Sequence, residues 1–283
     1  MYKSQKPRCI SSMLKLHALN CGKMFVDESS LVSGIHSATF RNQNPRAQWV
    51  EIPVCVYLIE APAGYILYDT GCHEREATVP EGEDTPSPYV FESGQLLPDR
   101  LKNLGISPDE IKYVVISHLH CDHAGYVHLF KNAEIIVSDD EFTGAMRLLG
   151  LDGFGAGPYK VPDFEAFLKA RLNWNLIHRS ETEYEICPGV TAVNFGSGHA
   201  FGIMGLRVDL KNSGTFLICS DALYRSDNLF PEIKTPGLIY DSVGYVRTAN
   251  FIKRYAKKHS AKIIFGHDST QFKKLLSSGG VWE

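Results

Sequence analysis

Short runs of apolar and β-branched residues recur along the chain, and their lengths are typical of β-strands. Several of these runs are apolar throughout, which indicates central strands of a sheet. The predicted strands are Val54–Ile59, Tyr65–Tyr68, Tyr113–Ile116, Glu134–Val137, Val190–Phe195, Ile203–Leu210, Thr215–Cys219 and Lys262–Phe265.

Segments with helical periodicity lie between these strands. The predicted helices are Leu96–Leu104, Asp140–Leu149, Phe164–Leu172 and Val243–His259. Asp241 and Ser242 precede the last of them and are suitable N-cap residues. Strands outnumber helices early and late in the chain, so the pattern predicts a mixed α/β domain without strict alternation.

Irregular stretches interrupt this pattern at residues 34–48, 74–93 and 150–162, and we interpret them as loop insertions. Loops of such length in a compact domain usually form functional lids or mobile surface. The chain has no internal repeat, low-complexity tract or compositional shift that would mark a linker. We therefore expect one domain over residues 1–283.

Composition excludes some classes of function. Of the 283 residues, 44% are hydrophobic and 22% are charged, as in an ordinary globular protein. The net charge of -3 gives no electrostatic reason to expect a nucleic-acid partner. No apolar stretch approaches the ~20 residues that span a bilayer.

The N-terminal segment and the cysteines bear on localisation. Met1–Leu19 is polar, is interrupted by Pro7 and lacks the apolar core of a signal peptide. The seven cysteines are an odd number, widely spread, with no Cys-x-x-Cys pair. Because an oxidising compartment favours an even disulfide framework, we expect a reduced, cytoplasmic protein.

The densest cluster of metal-binding residue types follows the strand that begins at Tyr113. Three histidines and a carboxylate occur there within six residues, as His118, His120, Asp122 and His123. An extended chain places His118 and His120 on one side, and the following turn can aim Asp122 and His123 at a second point. Imidazole and carboxylate suit a divalent ion such as zinc, and burying these groups without a cation would be costly.

Four ligands cannot complete two metal sites, so a dinuclear centre requires further ligands at other strand ends. His199 in Gly-Ser-Gly-His, Asp221 after the strand from Thr215, and His267 in Gly-His-Asp meet this requirement. A single histidine after a strand is more often an ordinary polar residue, but three such residues together with the motif indicate a metal centre. Asp69 is interpreted as a carboxylate that supports a ligand, with direct coordination as the alternative.

These motifs resemble those of the metallo-β-lactamase superfamily and, within it, of the quorum-quenching N-acyl-homoserine lactonases. The matching segments are Asp69–Gly71, Ser117–Gly125, Gly198–His199, Asp221–Tyr224 and Phe265–Asp268. The resemblance to lactonases depends mainly on Tyr224, three residues after Asp221, where that group carries a tyrosine that contacts the substrate carbonyl. Phe91–Pro98 is also similar to a lactonase loop that precedes the first helix.

The resemblance implies an αβ/βα sandwich with the metals at one edge, and a homodimer. It assigns His118, His120 and His199 to one metal, Asp122, His123 and His267 to the other, and Asp221 to both as a bridge. Many lactonases have a bulky aromatic residue where this chain has Cys121. That difference concerns the acyl pocket, and we do not expect Cys121 to act as a ligand or nucleophile.

The implied mechanism is hydrolysis of a lactone, with an N-acyl-homoserine lactone as the expected substrate. Two divalent ions about 3.5–4 Å apart would lower the pKa of a shared water and present hydroxide to the carbonyl. Zinc is the expected metal, with iron, cobalt or manganese as alternatives. Tyr224 would polarise the carbonyl oxygen, although it could also be an ordinary buried phenol. Asp122 would pass the proton to the departing alkoxide.

Other functions remain open at this point. A thioester hydrolase of the glyoxalase II kind shares the motif, and another lactone could be the substrate. A mononuclear iron dioxygenase or a metal-binding sensor without catalytic activity is a further alternative. A nuclease would need a basic channel, and the net charge of -3 argues against one. Flavodiiron oxidoreductases carry a glutamate where His120 stands, which argues against a redox di-iron role.

Overall fold

The computed structural model describes residues 14–77, 85–152 and 157–283. The strands are β1 Lys15–Asp27, β2 Trp49–Ala61, β3 Gly64–Tyr68, β4 Tyr89–Val90, β5 Ile111–Val115, β6 Glu134–Ser138, β7 Asn173–Ile177, β8 Glu183–Cys187, β9 Val190–Gly196, β10 Ile203–Leu210, β11 Gly214–Ile218, β12 Lys262–Ile264 and β13 Val281–Trp282. The α-helices are α1 Glu28–Leu31, α2 Leu97–Asn103, α3 Cys121–Ala124, α4 Asp139–Asp152, α5 Val161–Ala170, α6 Ser242–His259 and α7 Ser269–Ser277.

Within these described ranges the strands form two mixed sheets. The first has the order β13-β1-β2-β3-β5-β6-β7, with β4 beside β1, and it becomes parallel from β3 to β7. The second has the order β12-β11-β10-β9-β8, in which β11 and β12 are parallel and the other pairs are antiparallel. Because parallel neighbours end at the same edge of a sheet, the residues that follow β11 and β12 lie close together. The residues that follow β5 can reach the same edge from the first sheet.

The sheets pack face to face, and helices cover both outer faces. Side chains of β2, β3, β10 and β11 form the apolar core between the sheets. Helices α2, α4 and α5 pack on the outer face of the first sheet, while α6 packs on the second through Tyr245, Ala249 and Ile252. This four-layer arrangement confirms the predicted single-domain αβ/βα sandwich.

All eight predicted strands and four predicted helices are present, with their ends shifted by up to five residues, the largest shift being at the start of β2. Asp241 is the N-cap of α6, since its carboxylate accepts a hydrogen bond from the Gly244 N–H at 2.8 Å. Helix α5 begins at Val161, three residues before its predicted start, because Pro162 suits the first turn of a helix. Strands β1, β4, β7, β8 and β13 were not predicted.

The predicted loop insertions differ in regularity. Residues 34–48 contain neither a helix nor a strand. In 74–93, a 3-10 helix over Glu74–Glu76 and strand β4 lie on either side of residues 78–84, which are outside the described part. In 150–162, α4 continues to Asp152, and residues 153–156 are likewise outside it. No helix in the described ranges has both the length and the apolar character needed to cross a membrane.

Candidate metal centre

The end of β5 and the short helix α3 present the first four candidate ligands. The chain leaves the sheet after Val115 and places His118 and His120 at the edge of the sandwich. His120 is the N-cap of α3, and its carbonyl accepts hydrogen bonds from the His123 and Ala124 N–H groups at 3.0 Å. This single turn directs Asp122 and His123 toward the same edge, and all four side chains are buried.

The second sheet contributes the other three candidate ligands. His199 lies in the connection between β9 and β10, Asp221 in the 3-10 turn after β11, and His267 directly after β12. Gly266 permits this approach, since a Cβ atom there would lie 2.6 Å from the Ser220 carbonyl group. The seven residues predicted as ligands are therefore brought together from two sheets.

Three imidazoles converge in the first cluster. His118 Nε2 and His199 Nε2 each lie 3.0 Å from His120 Nδ1. Neighbouring nitrogens of a tetrahedral zinc site, with bonds of ~2.0–2.1 Å, are about 3.3 Å apart, close to the observed spacing. The three donor atoms and an Asp221 oxygen all lie within 4.8 Å of one another.

The second cluster contains Asp122, His123 and His267. Asp122 Oδ2 lies 3.2 Å from His123 Nε2 and 3.6 Å from His267 Nε2. Its three donor atoms also fall within 4.8 Å of one another. The side chain of Asp122 is 12% exposed, and it is the most accessible carboxylate of the centre.

Asp221 lies between the two clusters. Its Oδ2 is 3.3 Å from His199 Nε2 and 3.7 Å from His118 Nε2. Its Oδ1 is 3.0 Å from His267 Nε2 and 3.4 Å from His123 Nε2. Each carboxylate oxygen therefore faces a different cluster, which is the arrangement that a bridging ligand requires.

The remaining ring nitrogens of four candidate ligands have hydrogen-bond partners, as is usual for histidines that bind metals. His267 Nδ1 lies 2.8 Å from the Pro53 carbonyl oxygen, and His199 Nδ1 lies 3.2 Å from that of Leu238. The partners of His118 Nδ1 and His123 Nδ1 are Ser117 Oγ at 3.0 Å and Asp69 Oδ2 at 2.9 Å. These contacts leave the opposite nitrogens directed into the centre.

Asp69 supports His123 through a buried network. Its Oδ1 accepts a hydrogen bond from the Ser117 N–H at 2.7 Å, and its Oδ2 accepts one from the Ser117 hydroxyl at 2.9 Å. The Ser220 hydroxyl donates to Ser117 Oγ at 2.9 Å. Ser117 and Ser220 were not among the predicted site residues, although each directly precedes a predicted ligand.

The titration behaviour of these groups follows from burial and from their mutual contacts. Burial lowers the pKa of His118 and His120 well below the usual range, which keeps both imidazoles neutral. Burial also lowers the pKa of His123, but Asp122 and Asp221 outweigh it and raise that pKa overall. Burial raises the pKa of Asp122, but the charge and hydrogen bond of His123 together with the charge of His267 outweigh it and bring that pKa to about 2.

The donor set fits two metal ions. His123 Nε2 and Asp221 Oδ1 are buried and have no hydrogen-bond partner among the described residues. Unpartnered buried polar atoms are costly, and a cation between the nitrogens and carboxylate oxygens would satisfy them. The same residues that the sequence grouped as ligands can therefore hold two divalent ions.

Tyr224 and Cys121 lie beside the centre but in neither cluster. Tyr224 Oη is 3.0 Å from His199 Nδ1, and its ring packs with Leu31, Val32 and Ile52. Burial, followed by the charges of Asp221 and Asp122, raises the pKa of Tyr224 well above its usual range, so the phenol keeps its proton. Cys121 is buried in the apolar cluster under the first sheet.

Known proteins share both the sequence and the fold. A profile of the Metallo-beta-lactamase superfamily matches residues 50–267. The chain is 40% identical to N-acyl homoserine lactonase AiiB of Agrobacterium fabrum over 274 residues, which cover 95% of this chain and 99% of that relative. It is 31% identical to lactonase AiiA of Bacillus thuringiensis subsp. kurstaki, with coverage of 92% and 95%.

A solved structure shows the same fold with a reaction product bound. It is an N-acyl homoserine lactone hydrolase with N-hexanoyl-L-homoserine at its catalytic metal centre. It superposes with a TM-score of 0.76 at 28% identity and covers 93% of this chain and 96% of its own. The extent of these matches and the two clusters at the sheet edge agree: the chain belongs to the N-acyl homoserine lactonase family of the metallo-beta-lactamase superfamily.

Proposed function

We propose that this protein hydrolyses N-acyl homoserine lactones with the help of two divalent ions. The observation that carries the proposal is the position of Asp221, whose two oxygens face two separate clusters of candidate ligands. The second cluster favours two ions over the mononuclear iron alternative. The 40% identity to a lactonase over nearly the whole of both chains supports the substrate class.

The first cluster would be formed by His118, His120 and His199, and the second by Asp122, His123 and His267. When bound, the ions supply Lewis acidity, which lowers the pKa of water and polarises a carbonyl group. Zinc suits these imidazole and carboxylate donors, while iron, cobalt and manganese compete according to supply.

Two side chains beside the clusters would take part in ring opening. Tyr224 donates a hydrogen bond to the carbonyl oxygen of the lactone, where negative charge develops as water adds to the carbonyl carbon. Asp122 accepts the proton that this water loses and passes it to the ring oxygen as the carbon–oxygen bond breaks. Water is thereby added across the ester bond, and the product is an N-acyl homoserine with a free carboxylate and hydroxyl.

Elemental analysis combined with a substrate panel tests this proposal. The panel contains N-acyl homoserine lactones of several chain lengths, simple lactones and thioesters, assayed with the same metal-loaded preparation. We expect about two metal ions per chain and the highest kcat/KM for N-acyl homoserine lactones. One bound iron with oxygen consumption, or a preference for thioesters, would contradict the proposed activity.

Localisation and assembly are further parts of the proposal. We expect a cytoplasmic homodimer that acts on a small-molecule lactone and binds no nucleic acid. Cell fractionation checks the compartment, and light scattering of the purified protein checks the dimer.

A further inference from the structure

Glu141 is a buried carboxylate that the proposed mechanism does not use. It lies in the first turn of α4, where the N-terminal end of the helix favours negative charge. Its side chain is 0% exposed. A buried carboxylate needs several donors, so its partners indicate what it stabilises.

Three donors from separate segments bind this carboxylate. Its Oε1 accepts hydrogen bonds from the Leu119 N–H at 2.8 Å and from the Tyr159 hydroxyl at 3.0 Å. Its Oε2 accepts a hydrogen bond from the Gly202 N–H at 3.1 Å. All three hydrogen bonds converge on this one side chain.

Each of these donors lies close to a ligand of the three-histidine cluster. Leu119 stands between His118 and His120, and Gly202 follows His199 by three residues. The ring of Tyr159 packs edge-on against the ring of His120, with centroids 4.5 Å apart. Glu141 therefore connects the first-sheet loop that carries His120 to the second-sheet loop that carries His199.

The close approach of the second loop depends on glycine. A Cβ atom on Gly202 would lie 2.3 Å from Ser138 Oγ and 3.2 Å from the Glu141 backbone nitrogen. Any larger residue would push this loop away from α4 and weaken its hydrogen bond to the carboxylate. The position of the loop that carries His199 therefore depends both on its close packing against α4 and on the hydrogen bond from Gly202 to Glu141.

We propose that Glu141 is a positioning residue that holds His120 and His199 at donor distance, and that it thereby sets the metal affinity of the three-histidine cluster. The proposal rests on the two-metal function proposed above. The relevant spacing is the 3.0 Å between His120 Nδ1 and His199 Nε2, two atoms that come from different sheets. The cluster of Asp122, His123 and His267 has no contact with Glu141 among the described hydrogen bonds, so its affinity should not depend on this residue.

Glu141→Gln is the informative substitution, because it keeps the size of the side chain but replaces one acceptor oxygen with an NH2 group. If the amide oxygen faces Leu119, the NH2 group faces the Gly202 N–H, and two donors then oppose each other. The His199 loop would lose its link to α4. Gly202→Ala is a second variant that displaces the same loop while leaving the carboxylate in place.

The test is a stepwise zinc competition against a chromophoric chelator, which yields two dissociation constants for the parent and for each variant. For Glu141→Gln and Gly202→Ala we expect one constant to rise by about 10–100-fold, as for other residues that orient metal ligands, and the other to stay unchanged. Asp140→Asn is the matched control, since its carboxylate is next in the chain but pairs with Arg179 outside the centre.

The affected site is identified in cobalt-loaded protein. The absorption bands lost in Glu141→Gln should be those lost in His199→Ala, and those lost in His267→Ala should remain. Thermal unfolding of the metal-free variants separates this effect from a general loss of stability.

Failure of this inference is distinct from failure of the proposed function. A parent protein that binds fewer than two ions would contradict the two-metal function itself. If the parent binds two ions, unchanged constants in Glu141→Gln, or two constants weakened equally together with a lower melting temperature of the metal-free protein, would overturn the positioning role.

Discussion

Tyr224 is the residue whose replacement most directly tests the proposed chemistry. Its phenol lies 3.0 Å from His199 Nδ1, but His199 also has the Leu238 carbonyl oxygen as a partner. Tyr224→Phe should therefore keep both clusters intact while removing one donor to the developing oxyanion. We expect kcat for lactone opening to fall by about 10²–10³-fold, with the metal content unchanged.

Steady-state kinetics and elemental analysis of the same preparation check this expectation. Tyr57→Phe is the matched control, because it removes the same hydroxyl from a tyrosine buried between the two sheets. Unchanged turnover in Tyr224→Phe would assign that side chain to packing alone.

The sequence predicted the site most completely where its residues lie close together along the chain. His118, His120, Asp122 and His123 lie within six positions, so their residue types alone indicated a metal site. Ser220 was not predicted, because Ser117, which its hydroxyl contacts, is 103 positions away in the chain and comes close only when the two sheets are packed together. Unlike histidine or aspartate, a serine does not by its residue type indicate a metal site.

At the scale of elements, the strands that were not predicted have weak sequence patterns for different reasons. Most predicted strands are mainly apolar and buried, whereas β7 and β8 are edge strands with exposed polar positions, and β4 and β13 are only two residues long. Strand β1 has partly buried polar residues and a bulge between Asn20 and Lys23, which interrupts its alternation. Its pairing with β2 and β13 compensates for this weak pattern.

The 3-10 helix Glu74–Glu76 offers a prediction about pH. His73 caps this helix, since its Nδ1 accepts a hydrogen bond from the Arg75 N–H, and its ring stacks on Tyr126. Burial, followed by the charges of Arg75 and His128, lowers the pKa of His73 to about 4. Because this pKa is lower in the folded than in the unfolded state, stability is lost as the pH falls from about 6.5 to about 4.

His73→Asn keeps a capping acceptor but removes the titrating ring. The free energy of unfolding of the parent should fall by about 1–2 kcal/mol more than that of the variant across this range, allowing for partial exposure of the ring. Urea unfolding at pH 4.5, 5.5, 6.5 and 7.5 measures the difference. His178→Asn, at an exposed position, serves as the control, and parallel curves for parent and His73→Asn would contradict the expectation.

At the scale of the whole molecule, the two sheets meet in two different ways. Apolar side chains fill the space between their faces, and none of the seven candidate ligands belongs to this core. At the edge, by contrast, β5 and α3 supply four candidate ligands and the second sheet supplies three. Bound ions would therefore crosslink the sheets at an edge where polar and charged groups are buried together.

Removal of the ions should accordingly lower stability without abolishing the fold. Ligand present at about 100–1,000 times its Kd stabilises the native state by about 3–4 kcal/mol per site, and for a chain of this size each kcal/mol corresponds to about 2–4 °C in Tm. We expect calorimetry of chelator-treated protein to show a melting temperature lower by about 10 °C or more. Zinc should restore it and magnesium should not, because magnesium prefers oxygen ligands.

Hydrogen exchange shows whether metal removal destabilises the protein only near the metal centre or throughout the fold. Because the core between the sheets contains none of the candidate ligands, the metal-free protein should lose amide protection first around His118–Ala124, His199 and Asp221, and should retain it in β2 and β10. Uniform loss of protection would mean that the ions support the whole fold. An unchanged melting temperature after complete metal removal would mean that the seven candidate ligands do not couple the sheets through bound ions.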